Sequence, residues 1–332
     1  MALPLILETE MKRTFAQVLV AALPALVGAS YAQETFPVRP ITIVVPYPAG
    51  GTSDGQVRKI QEPLSKLLGQ PVVVDNKPGA SGALAAMAVA RAKPDGYTLL
   101  YPNNGVLIAA LLNKKAGYEP IKDFKPVGLV TSVPMVLVAA KSVPARNLKE
   151  FLDFARKEPM GMRYASAGTA SFGHLATARF GQVAGIKLEH IPYKGEAAAT
   201  MAVRSGEVQV LMTTPSSAML GQVEQGNLTL LGVATEKPSP VVPGAPTISQ
   251  SVPGFVSEAW FGLLAPAGTP DPVIAKINAA VQKVMAEEAI RSWLQTSGAL
   301  PKTSSPSDFS SVMNKEMTQW QDVITQYDIK AE

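Results

Sequence analysis

An α/β fold is predicted for this 332-residue chain by three observations. Short β-branched runs alternate with stretches whose apolar residues recur at helical spacing. Tight loops containing Gly and Ser join several of these runs to the helix that follows, the rhythm of mostly parallel strands linked by right-handed crossovers. Hydrophobic residues make up 47% of the chain and charged residues 17%, so a core is available and intrinsic disorder is excluded. The length suggests about two domains.

The elements follow in order. Ile41-Thr42-Ile43-Val44-Val45 reads as a buried strand. Residues 47–53 form a tight loop, and Ser53 or Asp54 is expected to cap a helix with Val57, Ile60, Leu64, Leu67 and Leu68 on one face. A strand over 71–74, an alanine-rich helix over about 80–92 and the strand Thr98-Leu99-Leu100 complete the first series. The second begins with a strand over 135–140. Asn147 and Glu150 then have capping-box spacing at the start of a helix reaching about Glu158. Arg163-Tyr164-Ala165 leads through the loop 166–171 into a helix ending near Ala184. Strands follow over 188–191, 208–212 and 228–234, with a helix from about Gly195 between the first two. A strand over 259–265, a long helix opened by Pro270 and Pro272, and a last helix starting at Ser305-Pro306 end the chain. In that last helix Phe309, Val312, Met313, Met317, Trp320, Val323, Ile324 and Tyr327 form a stripe expected to face the core. Two α/β sets with a C-terminal strand and helices suggest two lobes. Pattern alone leaves open whether the chain returns to the first.

The N-terminus carries its own signal. Lys12 and Arg13 precede an apolar stretch over 18–27 and the small residues Gly28-Ala29-Ser30-Tyr31-Ala32, the layout of a secretory signal peptide cleaved after Ala32. The apolar stretch falls short of the ~20 residues that a membrane-spanning helix needs. Glu8 and Glu10 do not suit a basic leader, which makes Met11 a second candidate start. No later run reads as transmembrane, so the remaining chain is expected to be soluble outside the cytoplasmic membrane.

Composition removes several kinds of chemistry. The absence of cysteine excludes disulfides, thiolate nucleophiles, iron–sulfur clusters and cysteine zinc sites. A net charge of +4 without a block of like charge gives no support for nucleic-acid binding. The glycines of the 50–55 stretch have P-loop spacing, but Gln56 and Val57 stand where lysine and Ser/Thr are required, and no G-x-G-x-x-G occurs. Two histidines and scattered carboxylates give no metal-ligand spacing, so neither metal nor cofactor is expected. Ser171 and His174 are neighbours on a helix. They read either as a nucleophile and base or, more simply, as a helix cap and a wall residue.

The positive signal lies in the loops 47–53 and 166–171. Each is expected to join the carboxyl end of a strand to the amino end of a helix, where unpaired N–H groups and the helix dipole favour an anion. Thr52, Ser53, Ser166, Thr169 and Ser171 add hydroxyl donors. The plainer alternative is that such loops only make turns.

The same residues carry a family resemblance. Val45-Pro46-Tyr47-Pro48-Ala49-Gly50-Gly51-Thr52-Ser53-Asp54 with Arg58 resembles the first signature of the Bug-type receptors, periplasmic solute-binding proteins of the tripartite tricarboxylate transporter family. Asn76-Lys77-Pro78-Gly79-Ala80-Ser81-Gly82, Pro94-Asp95-Gly96-Tyr97-Thr98-Leu99, Tyr164-Ala165-Ser166-Ala167-Gly168 with His174, and His190-Ile191-Pro192-Tyr193-Lys194-Gly195 match in order. So does the run from Trp260 to Pro270. The resemblance implies a two-lobed fold of the periplasmic-binding-protein type (type II-like), hinged, with a ligand cleft between the lobes. It implies lobe 1 over 33–133 and 256–332, and lobe 2 over 134–255. A small organic acid is the implied ligand, and a membrane permease or a sensor the implied partner. Backbone amides of Ala49, Gly50, Gly51 and Thr52, beside Asp54, are expected to grip one carboxylate. Ser166, Gly168, Thr169 and Ser171, with His174 in the wall, are expected to hold the other end. Tyr47, Asn103, Tyr193, Lys194 and Thr213 are expected to line the cleft. Where many relatives carry Phe-Asp-Asn this chain has Met212-Thr213-Thr214, which takes an acidic group out of that wall and argues against a role in binding an amino group.

Overall fold

The computed structural model describes residues 36–113 and 116–330. The signal-peptide reading of residues 1–32 lies outside them. Strand β1 (Ile41–Val45) is the β-branched run itself, almost wholly buried. It leads into helix α1 (Thr52–Leu68), which Gly69 closes in a left-handed conformation at φ 73°. Next come β2 (Val72–Asn76), a single 3₁₀ turn (Ala80–Gly82), α2 (Ala83–Ala90), β3 (Thr98–Leu100) and α3 (Gly105–Leu112). The alanine-rich helix is therefore shorter than its composition suggests, because Gly79 and Gly82 take positive φ at its start.

Strand β4 (Phe124–Pro134) carries the chain to a second sheet, which begins with β5 (Val136–Ala140). There α4 (Leu148–Ala155) opens on Asn147, whose side chain accepts the Glu150 N–H at 2.9 Å, the expected capping box. The helix ends before Glu158. Then follow β6 (Met162–Ser166), α5 (Phe172–Ala184), β7 (Leu188–Pro192), α6 (Glu196–Ser205), β8 (Val210–Thr213), α7 (Ser217–Glu224) and β9 (Leu228–Val233). Strand β10 (Glu258–Pro266) rejoins the first sheet, followed by α8 (Asp271–Ala286), α9 (Glu288–Thr296), the short β11 (Leu300–Pro301) and α10 (Pro306–Gln326).

The first sheet has the order β11-β4-β10-β3-β1-β2 and the second β7-β6-β8-β5-β9. Both are mixed, which corrects the expectation of mostly parallel sheets. The βα units pair in parallel, as β1 does with β2 and β3, and β6 with β7 and β8. The strands nearest the two crossings run against them: β10 against β3 and β4, and β5 against β8 and β9.

Each sheet has its own buried cluster, and α10 supplies Phe309 and Met313 to that of the first. Its Trp320, Val323 and Ile324 pack instead with Ile108 of α3 and with Leu175 and Ala178 of α5. Within the expected stripe Tyr327 is exposed. Close approach explains Gly262 on β10, where an added Cβ would lie 2.5 Å from the Phe309 ring. The two crossings between the sheets are tied side by side. Met135 donates its N–H to the Ser257 carbonyl at 3.2 Å, and Ala234 donates to the Met135 carbonyl and Ser257 to the Ala234 carbonyl, both at 2.8 Å.

Candidate functional site

A cavity of about 460 Å³ lies where the carboxyl ends of the parallel strands of both sheets meet. The first sheet contributes Tyr47, Gly51, Thr52 and Ser53 after β1, Asn103 after β3, and Ala259 and Phe261 from β10. The second contributes Ala167 and Ser171–Gly173 after β6, Glu196 after β7, and Thr214–Ser216 after β8. Ser297 and Gly298, behind α9, close one side. The amino ends of α1, α5, α6 and α7 thus converge on one cavity.

At α1 the cap is Gly51, with φ −77° and ψ 173° and no side-chain acceptor, rather than the expected Ser53 or Asp54. The first N–H groups of this helix have no partner within it. Asp54 instead turns its carboxylate back, accepting the Gly50 N–H at 2.8 Å and the Arg58 Nε–H at 2.9 Å. Arg58 also donates to Asn76 Oδ1 at 3.2 Å, and Asn76 Nδ2 donates to the Tyr47 carbonyl at 3.1 Å. Burial alone would raise the Asp54 carboxyl. The hydrogen bonds from Arg58, Gly50 and Asn76, with the charge of Arg58, outweigh that and hold it below its ordinary value. The Tyr47 hydroxyl donates to Asn103 Oδ1 at 2.5 Å, and the same oxygen accepts the Gly105 N–H at 2.8 Å. Burial keeps that phenol protonated far above neutral pH.

In the second sheet the caps come from side chains. Ser171 Oγ accepts the His174 N–H at 3.2 Å, and Ser216 Oγ accepts the Met219 N–H at 3.3 Å. Glu196, the first residue of α6, accepts hydrogen bonds from the Thr213 hydroxyl at 2.9 Å and the Thr214 hydroxyl at 3.3 Å. The lining residues include no lysine, arginine or histidine, and Glu196 is the one charged residue among them.

Of the residues singled out from sequence, Tyr47, Gly51, Thr52, Ser53, Asn103 and Ser171 line the cavity. The others fall outside its lining. Ala49 is exposed, and the Gly50 amide is committed to Asp54, which corrects its expected role as a free donor. Asp54 is buried and serves the loop. Ser166 is fully buried, with Oγ 2.6 Å from His190 Nε2 and donating to the Gly168 carbonyl at 2.9 Å, so neither residue presents a free group there. Thr169 lies in the same loop, away from the cavity wall. His174 is buried, its Nδ1 accepting the Ala170 N–H at 3.1 Å and its ring stacked on His190 at 3.6 Å. Burial, with the charge of His190 added, pushes His174 down to about 3, and burial pushes His190 down to about 4. Tyr193 turns to Glu207, donating at 2.8 Å, and Lys194 is exposed. Thr213 is buried beneath Glu196.

Sequence reasoning missed Glu196, which directly follows the Tyr193-Lys194-Gly195 motif, and Ser216, a helix cap just after a strand. It also missed Phe172, Met135 and Phe261, the apolar part of the wall. The run Met212-Thr213-Thr214 brings no acidic group to this wall, but Glu196 from the preceding helix does, held there by Thr213 and Thr214. Among the described residues no group of three or more His, Asp or Glu is placed to hold a metal ion, and no helix is long and apolar enough to cross a membrane.

Two mixed α/β sheets with separate cores, joined by paired crossings and sharing a cavity at their strand ends, define a two-lobed solute-binding receptor. Residues 56–329 match the tripartite tricarboxylate transporter family receptor, TctC, and the chain belongs to that family. BugT of Bordetella pertussis is 30% identical over 317 residues, covering 95% of this chain and 97% of BugT. Among solved structures, Rpa4515 of R. palustris with adipate is 33% identical with a TM-score of 0.72, covering 89% of this chain and 99% of that one. The periplasmic binding protein BugD is 32% identical with a TM-score of 0.68, covering 90% and 100%. The family resemblance and the two-lobed α/β fold read from the sequence are thereby borne out.

Proposed function

We propose that this receptor is exported, with residues 1–32 removed after Ala32, and that outside the cytoplasmic membrane it closes on a small carboxylate and presents it to a membrane permease. Residues 33–133 and 256–332 form one lobe and 134–255 the other, a division supported by the order in which the chain visits the two sheets. The observation that carries the carboxylate reading is the convergence of four helix amino ends on a cavity without a cationic side chain. Backbone N–H groups and hydroxyls there supply the positive potential that an anion needs. The relative solved with adipate agrees with it. The exposed amide of Thr52 and the hydroxyls of Thr52 and Ser171 are the donors, the Gly51 N–H being directed to the Pro48 carbonyl at 3.4 Å, while Tyr47 and Asn103 set the shape of the wall. Closure then gains contacts on both lobes that the open form lacks.

The site works without catalysis. Ser171 Oγ is an acceptor for a backbone N–H and the nearest histidine nitrogen is occupied by Ala170, so Ser171 has no imidazole partner, while the contact of the fully buried Ser166 with His190 lies outside the cavity lining. Protein stripped of endogenous solute should melt at higher temperature with short carboxylates and not with neutral sugars. Native mass spectrometry of freshly purified protein should show a bound organic acid. A rise with sugars alone would overturn the carboxylate reading. Ester turnover abolished by Ser171→Ala would overturn the receptor reading.

A further inference from the structure

Glu196 gives this cleft a chemical polarity. Its side chain is exposed, it is the one charged group in the lining, and its hydrogen bonds come only from the neutral hydroxyls of Thr213 and Thr214. None of the ion pairs among the described residues involves it. Its negative charge therefore stays in the cleft. A carboxylate offers about four lone-pair sites, and two hydroxyl protons cannot fill them. Acceptor capacity is left for a solute.

We propose that Glu196 selects a carboxylate solute whose far end carries a hydrogen-bond donor, an ammonium or an amide, and disfavours one with a second ionised carboxylate at that end. The proposal rests on the carboxylate reading above. The solute's carboxylate lies at the uncapped amino end of α1, where Gly51 supplies no side-chain acceptor, and its donor end meets Glu196 on the opposite sheet. Two carboxylates in contact would repel in a cleft that closes and sheds water, while an ammonium would complete the ion pair that Glu196 lacks. A purely structural Glu196, merely complementing the dipole of α6, would change stability and leave selectivity alone.

Calorimetric binding of two matched pairs decides it: glutarate against γ-aminobutyrate, and adipate against δ-aminovalerate. Wild-type protein should bind the amino acid of at least one pair about tenfold or more tightly than its diacid, and Glu196→Gln should reduce that preference by about tenfold. Should the variant fail to fold, the wild-type preference alone still decides. Diacids bound as tightly as the amino acids, or a preference unmoved in Glu196→Gln, would overturn the role of Glu196 and leave the carboxylate reading standing. If no member of either pair binds, the carboxylate reading falls and this inference falls with it.

Discussion

Acidification from about pH 7 to about pH 5 should destabilise the protein through a single pair of side chains. The chain has two histidines, and their rings stack on each other at 3.6 Å. Burial, joined for His174 by the charge of His190, pushes the pair down to about 3 and about 4 from 6.5. At pH about 5 the folded protein keeps both rings neutral, while the unfolded chain protonates both. The unfolded state thus binds more protons across this window. Stability is retained above the unfolded value of 6.5 and is lost as the pH falls below it, levelling off only near the folded values. Between about pH 7 and about pH 5 each histidine contributes a loss of about 2 kcal/mol, so about 4 kcal/mol for the pair. For a chain of this size that lowers the Tm by about 6 °C. Urea denaturation across the window, on wild type and on the double variant His174→Gln with His190→Gln, measures it. The double variant should lose most of the pH slope, whatever its absolute stability. A variant that keeps the wild-type slope, or a histidine ring proton whose NMR shift titrates near 6.5 in the folded protein, would refute the reasoning.

Asp54→Asn should cost about 1–3 kcal/mol in urea unfolding, because it weakens charge-assisted bonds to Arg58 and Gly50, and it should weaken carboxylate binding by loosening the loop after β1. Since the folded carboxyl is held below its unfolded value of 3.8, its contribution is present above that pH and is lost as the pH falls further; the Asn variant should lack this acid dependence. Gly262→Ala would place a methyl 2.5 Å from Phe309 and should destabilise by about 1–3 kcal/mol without altering solute preference, as measured by thermal melts with and without ligand. Phe172 lines the cleft and meets Trp320 edge-on at 5.6 Å. Solute binding should therefore change tryptophan fluorescence, and Trp320→Phe should remove most of that change.

How far the sequence speaks depends on whether its signal is local. Strand β1 is legible to the residue because five β-branched or threonine positions run together, and α10 because Ser305 and Pro306 mark its start unambiguously. Strand β4 was not legible. Its sequence carries Pro126, Gly128 and Pro134, which read as punctuation, yet β10 and β11 flank it and satisfy its backbone from both sides. Helix α3 was hidden for the opposite reason, since Val106, Leu107 and Ile108 are all buried and leave no amphipathic period. In the site, the loops after β1 and β6 announce themselves by their glycines and hydroxyls. The split of labour within them does not. Asp54 and Ser166 look like ligand groups in sequence, and only the fold shows their bonds spent on Gly50, Arg58, His190 and Gly168. Glu196 is the converse case, because the threonines that hold it come from the next strand.

A cleft without lysine or arginine must hold an anion by placement rather than by charge. A backbone N–H gains little net stability in exchanging water for a solute oxygen unless it is already aimed and dry. That shifts the burden to whatever fixes the loop after β1 before the solute arrives. The chain Asp54–Arg58–Asn76–Tyr47 does so from beneath, spending one buried carboxylate to orient donors that never touch it. The same design explains why that carboxylate must be fully paired: left free beside the cleft, it would repel the anion whose site it builds. Glu196, by contrast, is held only by neutral hydroxyls and keeps its charge. The two acids thus have opposite electrostatic consequences, one neutralised to admit a carboxylate and the other left to judge what the rest of the solute carries.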